Sequence, residues 1–152
     1  MRCVIQRVSK ASVTVGERVT GKIEKGFLVL LGVMDGDTDE EMRLLAKKVG
    51  EIRIFTDENE KMNLSLEQVG GSVLLVSQFT LCADLAKERR PSFSLSAPVD
   101  EAKRLYLAFG EELKKYGVKS VEYGEFGADM NVELCNDGPV TIVMDTDIWK
   151  KR

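Results

Sequence analysis

The 152-residue chain contains no histidine. That excludes a Ser-His-Asp triad, a Cys-His pair and a His-ligated metal, and it leaves no side chain whose unperturbed pKa lies near neutrality. If the chain is an enzyme, protons must move through a perturbed group, water or the substrate, or else positioning and backbone dipoles dominate. Cysteine is sparse. Cys3, Cys82 and Cys135 are odd in number and widely spaced, which argues against a disulfide framework or a zinc ribbon and suits a reducing cytosol. Cys82 has no histidine to activate it, so it is a poor nucleophile. No apolar run is long enough to span a bilayer. Met1–Arg7 has no long apolar signal core, so the expected location is cytoplasmic, with no membrane partner. Neither G-x-x-x-x-G-K-[ST] nor G-x-G-x-x-G occurs. Asp35, Asp37 and Asp39 begin like a calcium loop, but Glu40 and Ala46 stand where the glycine and the bidentate glutamate belong. That acidic run reads as helix N-terminal charge. Basic excess is missing too: the net charge is -3, so any RNA contact should be local and no DNA partner is expected.

What is present reads as an ordinary globular chain, with 43% hydrophobic and 31% charged residues. The length predicts one domain over residues 1–152, able to bury a core without staples. Cys3–Val8 and Ser12–Val15 read as two strands. Gly26–Val33 is a continuous apolar run, expected of a central strand covered on both faces. Thr38 and Glu41 form a capping box. Met42, Leu45, Ala46 and Val49 then recur at helical spacing, and Gly50 ends that pattern. A strand at Ile52–Thr56, a polar turn at Asp57–Lys61 and a β-rich run at Ser72–Leu81 follow. Pro98 suits the first turn of a second helix, whose stripe is Ala102, Leu105, Tyr106, Phe109 and Leu113, with Gly117 as its cap. Strands at Val118–Tyr123, Asn131–Cys135 and Val140–Asp145 complete an α+β chain, with two helices on a curved, mainly antiparallel or barrel-like sheet.

Three segments could carry chemistry. Ser77-Gln78-Phe79-Thr80-Leu81 puts hydroxyls, an amide and a ring at the end of a hydrophobic strand. On pattern alone it reads rather as an alternating strand with Phe79 in the core and Ser77 and Thr80 incidental. Asn136-Asp137-Gly138-Pro139 reads as a hairpin turn, although Pro139 cannot donate in a ladder and X–Pro is where cis peptides occur. Phe126-Gly127-Ala128-Asp129-Met130 could admit a flat base between Phe126 and Met130, or could be a glycine loop with two core anchors. Lys87-Glu88-Arg89-Arg90-Pro91-Ser92-Phe93 is a basic stretch that could meet phosphates, although such a run is more often only a solvated loop.

Together these segments resemble the D-aminoacyl-tRNA deacylase family. The resemblance runs from Met1–Val8 through Ala11-Ser12-Val13, Gly26–Val33, Ser77–Leu81, Arg90–Phe93 and Phe126–Met130 to Asn136–Thr141. It implies an enzyme that hydrolyses the ester of D-aminoacyl-tRNA and screens out the L form; since glycine has no side chain to exclude, glycyl-tRNA should be accepted to some degree, and neither cofactor nor metal is expected. It implies a homodimer with active sites at its interface, acting on the tRNA 3′ aminoacyl end. By the same resemblance, Ser77, Gln78, Phe79 and Thr80 line the pocket for the aminoacylated 3′ adenosine. Phe126, Gly127, Ala128 and Met130 would hold the adenine. Gly138-Pro139 would be a cis element inserted from the partner subunit to screen chirality, braced by Arg7. A tyrosine-glycine pair is usual in the family after the first motif, where this chain has Cys82-Ala83. A non-catalytic RNA-end-binding module and a small-molecule esterase are the rival readings.

Overall fold

A computed structural model describes residues 1–150. Its centre is β1 (Arg2–Val15), a single strand that unites the two predicted ones. The polar pair Ser9-Lys10 that separates them in sequence is simply exposed in mid-strand. On one edge β1 pairs antiparallel with two strands in succession: its N-terminal half with β3 (Gly26–Gly32) and its C-terminal half with β2 (Arg18–Ile23). The other edge carries β8 (Asn131–Asp145) along nearly its whole length. β2 has no counterpart among the sequence expectations.

β3 is covered on both faces, as its unbroken apolar run requires. Phe27, Val29 and Leu31 join a core shared with the helices, whereas Leu28 joins Val8, Ala11, Val13, Ile23, Leu74 and Val76 in a second core inside the curved sheet. β3 pairs in parallel with β6 (Ser72–Ser77), and β6 in parallel with β7 (Val121–Tyr123). The sheet is therefore mixed: antiparallel around β1 and parallel beyond β3. Its end strands β2 and β7 approach each other at Gly21, where a Cβ would lie 2.5 Å from the Tyr123 carbonyl oxygen. Only a residue without a side chain lets the sheet come this near to closing into a barrel.

The first helix, α1 (Asp39–Glu51), begins with the expected capping box. Met42, Leu45, Ala46 and Val49 are buried as the spacing predicts. Gly50 does not end it. The helix runs on to Glu51, and Gly50 is small because a Cβ would meet the Tyr116 side chain at 2.7 Å. Of the strand expected at Ile52–Thr56 only β4 (Phe55–Thr56) forms, paired with β5 (Met62–Leu64) around the Asp57–Lys61 turn. A short α2 (Leu66–Val69) precedes β6. The second long helix, α3 (Val99–Leu113), is capped by Pro98, just outside its first turn, and the left-handed Gly117 closes the 3-10 turn Lys114–Tyr116 after it. Its stripe of Leu105, Tyr106, Phe109 and Leu113 is buried beside α1. The last described element is α4 (Thr146–Lys150).

The Met1 amino group is buried between Asp37 Oδ1 at 2.9 Å and Thr146 Oγ1 at 2.8 Å. Asp37 also accepts from the Met34 N–H. This member of the acidic run therefore works as a buried counter-charge rather than as helix-end charge.

Candidate active site

The β-rich run expected to reach Leu81 stops as a strand at Ser77. Gln78 still donates its N–H to Leu31 O at 2.7 Å, and the chain then turns into a 3-10 helix at Phe79–Cys82. Gly32 makes room for this turn: a Cβ there would stand 3.0 Å from Leu81 Cβ and 3.1 Å from Gln78 O. The turn is anchored from below by Cys82, buried with its Sγ 3.5 Å from Val33 O. Burial pushes that thiol up, so it stays protonated at neutral pH. Phe79 points outward, 55% exposed, which removes the reading of it as a core residue. Leu81 N–H already donates to Gln78 O at 3.1 Å, which leaves the N–H groups of Phe79 and Thr80 at the helix start without an intrahelical acceptor. Gln78 Nε2 donates to Thr80 Oγ1.

Facing this turn is the segment after β7. Gly124 donates its N–H to Leu75 O at 3.0 Å, and the Ala128 N–H bonds Glu125 O in a tight turn. Gly127 has φ 78°, a conformation that suits glycine. The Phe126 ring rests on Tyr106, 5.7 Å between centroids, and the Tyr106 hydroxyl donates to Leu75 O. Burial raises the Tyr106 pKa, so that hydroxyl remains a donor. Met130 folds back so that its sulfur accepts from the Glu125 N–H.

Between the two segments lies a mainly apolar cleft of about 500 Å³. Ser77, Gln78, Phe79, Phe126, Gly127, Ala128 and Met130 all line it, although some fifty residues separate the groups in sequence. Thr80 follows them in the turn but is not in the lining. Asp129 also lines the cleft. So do Ser96, Ala97, Val99 and Ala102, from α3 and the chain before it, which sequence reasoning missed. They carry no motif, and only tertiary packing brings them there. No group of three or more Cys, Asp or Glu side chains among the described residues could hold a metal ion.

Gly138, Pro139 and Arg7 are not in that cleft. Asn136–Pro139 is not a hairpin turn either, because β8 continues through it. Between the pairs Gln6 with Thr141 and Val8 with Asn136, two steps along β1 face five along β8, so the Asp137–Val140 stretch forms a bulge. The Gly138-Pro139 peptide is cis, and both residues are exposed. Asn136 closes the bulge with its side chain: Oδ1 accepts from Val140 N at 2.9 Å and Nδ2 donates to Val140 O at 3.1 Å. Arg7 holds it from beneath. Its buried guanidinium donates to Asp137 O at 2.9 Å and Ile54 O at 2.6 Å, with the Asp137 carboxylate at 3.5 Å.

Known proteins match this chain over nearly its whole length. The family model described as D-Tyr-tRNA(Tyr) deacylase matches residues 4–145. A D-aminoacyl-tRNA deacylase of Thermosipho africanus is 56% identical over 146 residues, covering 96% of this chain and 97% of its own. One of Neisseria gonorrhoeae is 53% identical over 150 residues, covering 96% and 91%. Among solved structures, the c-Myc DNA Unwinding Element Binding Protein superposes with a TM-score of 0.89 at 40% identity, covering 95% of this chain and 98% of that one. A probable eukaryotic D-amino acid tRNA deacylase superposes at 0.81 with 20% identity, which speaks for the fold alone. On these matches, and with the motif residues gathered at one cleft, the chain belongs to the D-Tyr-tRNA(Tyr) deacylase family.

Proposed function

We propose that this protein hydrolyses the ester joining a D-amino acid to the 3′ adenosine of tRNA, releasing both, as a cytoplasmic proofreading step in translation. It would accept glycyl-tRNA and reject the L form. One observation carries this reading: in a chain of this family, Ser77–Phe79 and Phe126–Met130 converge on a single cleft. In the proposal, Phe126, Gly127, Ala128 and Met130 hold the adenine. Ser77, Gln78, Phe79 and Thr80 surround the ester.

The mechanism must work without imidazole. An aminoacyl ester is already activated, so charge stabilisation matters more than a strong base. The first-turn N–H groups at Phe79 and Thr80 are suited to receive the developing oxyanion, and one such donor contributes about 3 kcal/mol. The vicinal 2′-hydroxyl of the ribose orients the water. Thr80 is a poor nucleophile here because its hydroxyl accepts a hydrogen bond from an amide that cannot take its proton.

Selectivity would come from a second copy of the chain. In a homodimer, the exposed Gly138-Pro139 bulge of one subunit would enter the cleft of the other, hold the amino group through main-chain carbonyls and leave no room for an L side chain. Glycine, with no side chain, would pass that screen. The test compares ester half-lives of D-tyrosyl-, L-tyrosyl- and glycyl-tRNA with and without protein. Rapid loss of the D form, slower loss of the glycyl form and a stable L form are expected. Cleavage of the L form at the same rate as the D form overturns the reading.

A further inference from the structure

The chain from 83 to 95 leaves the cleft wall and returns to it. It starts from the 3-10 turn at Phe79–Cys82 and ends at Ser96 and Ala97, which line the cleft. Its neck is fastened. Asp84 and Ser92 exchange main-chain hydrogen bonds of 2.8 and 2.9 Å. Asp84 Oδ1 accepts from the Ala86 N–H. The Phe93 ring meets Phe79 edge-on at 4.9 Å. Beyond the neck the tip carries Lys87, Arg89 and Arg90, all exposed, with Glu88 as the one acid among them. Beside the tip is a hollow of about 330 Å³, lined by Lys87, Arg90, the hydroxyl residues Ser92 and Ser94, and the carboxylates Asp84 and Glu88.

Most arginines of this chain are engaged. Arg2, Arg7, Arg18, Arg53 and Arg104 each donate to a polar partner. Arg89 and Arg90, like Arg43 on α1, have no such partner among the described residues, and Lys87 has none either. Three unpaired cations on one fastened loop repel each other, and an anion beside them relieves that repulsion. In a chain of net charge -3 this patch lies on a loop whose two ends join the cleft wall.

We propose that Lys87, Arg89 and Arg90 grip the phosphate backbone of the RNA strand that leads into the cleft, on the 5′ side of the terminal adenosine. This rests on the reading of the cleft as the site of an aminoacylated 3′ adenosine. Guanidinium groups bond phosphate oxygens two at a time, and the hydroxyls of Ser92 and Ser94 supply neutral donors beside them. Such contacts carry no base sequence. They strengthen binding of every tRNA alike and leave the chemistry at the ester untouched.

The test is the triple variant Lys87→Ala, Arg89→Ala, Arg90→Ala, assayed on D-tyrosyl-tRNA and on the D-tyrosyl ester of adenosine alone. On tRNA at 0.1 M salt, kcat/KM should fall at least tenfold, through KM. The slope of log affinity for uncharged tRNA against log salt should flatten by about 2, at roughly 0.7 per single-strand phosphate contact. The adenosine ester, which does not extend to the loop, should keep its kcat and KM. The double variant Arg89→Lys, Arg90→Lys should keep the salt slope, because the charges remain, and should lose less tRNA activity than the triple variant, the loss being that of the two-pronged guanidinium contacts. Unchanged kinetics on tRNA together with an unchanged salt slope overturns the proposal. So does an equal loss on both esters, which would mean that the loop only props the cleft wall. The uncharged-tRNA measurement stands apart from hydrolysis. If the unmodified protein cleaved neither ester, a flattened slope in the triple variant would still support the loop contact while the deacylase reading fell.

Discussion

Arg7 is the most constrained charged side chain near the Gly138-Pro139 bulge. Its guanidinium is buried and satisfies the carbonyls of Asp137 and Ile54 at once. Arg7→Met keeps the aliphatic stem but strips both carbonyls of their donor. Stability should fall by about 3 kcal/mol in urea denaturation. Where the variant folds, L-tyrosyl-tRNA should begin to be cleaved as the bulge loosens. At Thr80 the opposite is expected. If the main chain stabilises the oxyanion, Thr80→Ala should keep activity within about tenfold of the unmodified protein, less than the loss of one oxyanion-hole donor. A loss of several thousandfold would make its hydroxyl the nucleophile. Cys3 gives a pH prediction. Burial pushes its thiol from 9.0 up to about 12. Below pH 9 the folded and unfolded chains both hold the proton, so the group adds no pH dependence. Between pH 9 and about 12 only the unfolded chain releases it, and stability should fall by roughly 1.4 kcal/mol per pH unit. Cys3→Ala should flatten that part of the stability curve measured from pH 8 to 11.

Single elements were legible to different degrees. α1 follows from its own residues: Thr38 and Glu41 satisfy each other's end of the helix, and Met42, Leu45, Ala46 and Val49 form one buried stripe. α3 and β3 are equally local in their patterns. In sequence β1 and β8 each read as two strands, because Ser9-Lys10 and Asn136–Pro139 look like punctuation. In the fold, pairing with β8 carries β1 on through Lys10, and the four residues of β8 without a partner on β1, Asp137–Val140, are absorbed as a bulge. β2 was missed because Arg18–Ile23 mixes charged, polar and apolar residues with little alternation; only Gly21 and Ile23 turn a buried face. Gly21 is the residue to test at this scale. A Cβ there would collide with the Tyr123 carbonyl and approach Leu74 Cδ1 at 2.9 Å. Gly21→Ala should cost about 2 kcal/mol by forcing β2 away from β7, read as a lower midpoint in urea.

At the scale of the whole molecule, the two groups of candidate residues do not share a site within one chain: Gly138, Pro139 and Arg7 are absent from the lining of the cleft. If a second copy unites them, two defective variants should complement each other. Phe126→Ala impairs the cleft and Gly138→Ala distorts the bulge, since φ at Gly138 is 149° and a Cβ would lie 2.7 Å from Val140 N. Mixed after unfolding and refolding together, they should regain D-selective hydrolysis, because a heterodimer has one site with an intact cleft and an intact bulge. No recovery in verified heterodimers would place the whole site within one chain. The residues of this chain, taken one after another, were enough to determine the capped helix, the doubly covered β3, the exclusion of imidazole chemistry and the family, since each depends on neighbours a few positions apart or on the motifs themselves. The parallel pairing of β3, β6 and β7, the near-closure at Gly21, and the meeting of Ser77–Phe79 with Phe126–Met130 were decided only by the tertiary structure. Those contacts join distant segments, and their register is fixed by the collective burial of two cores rather than by any local pattern.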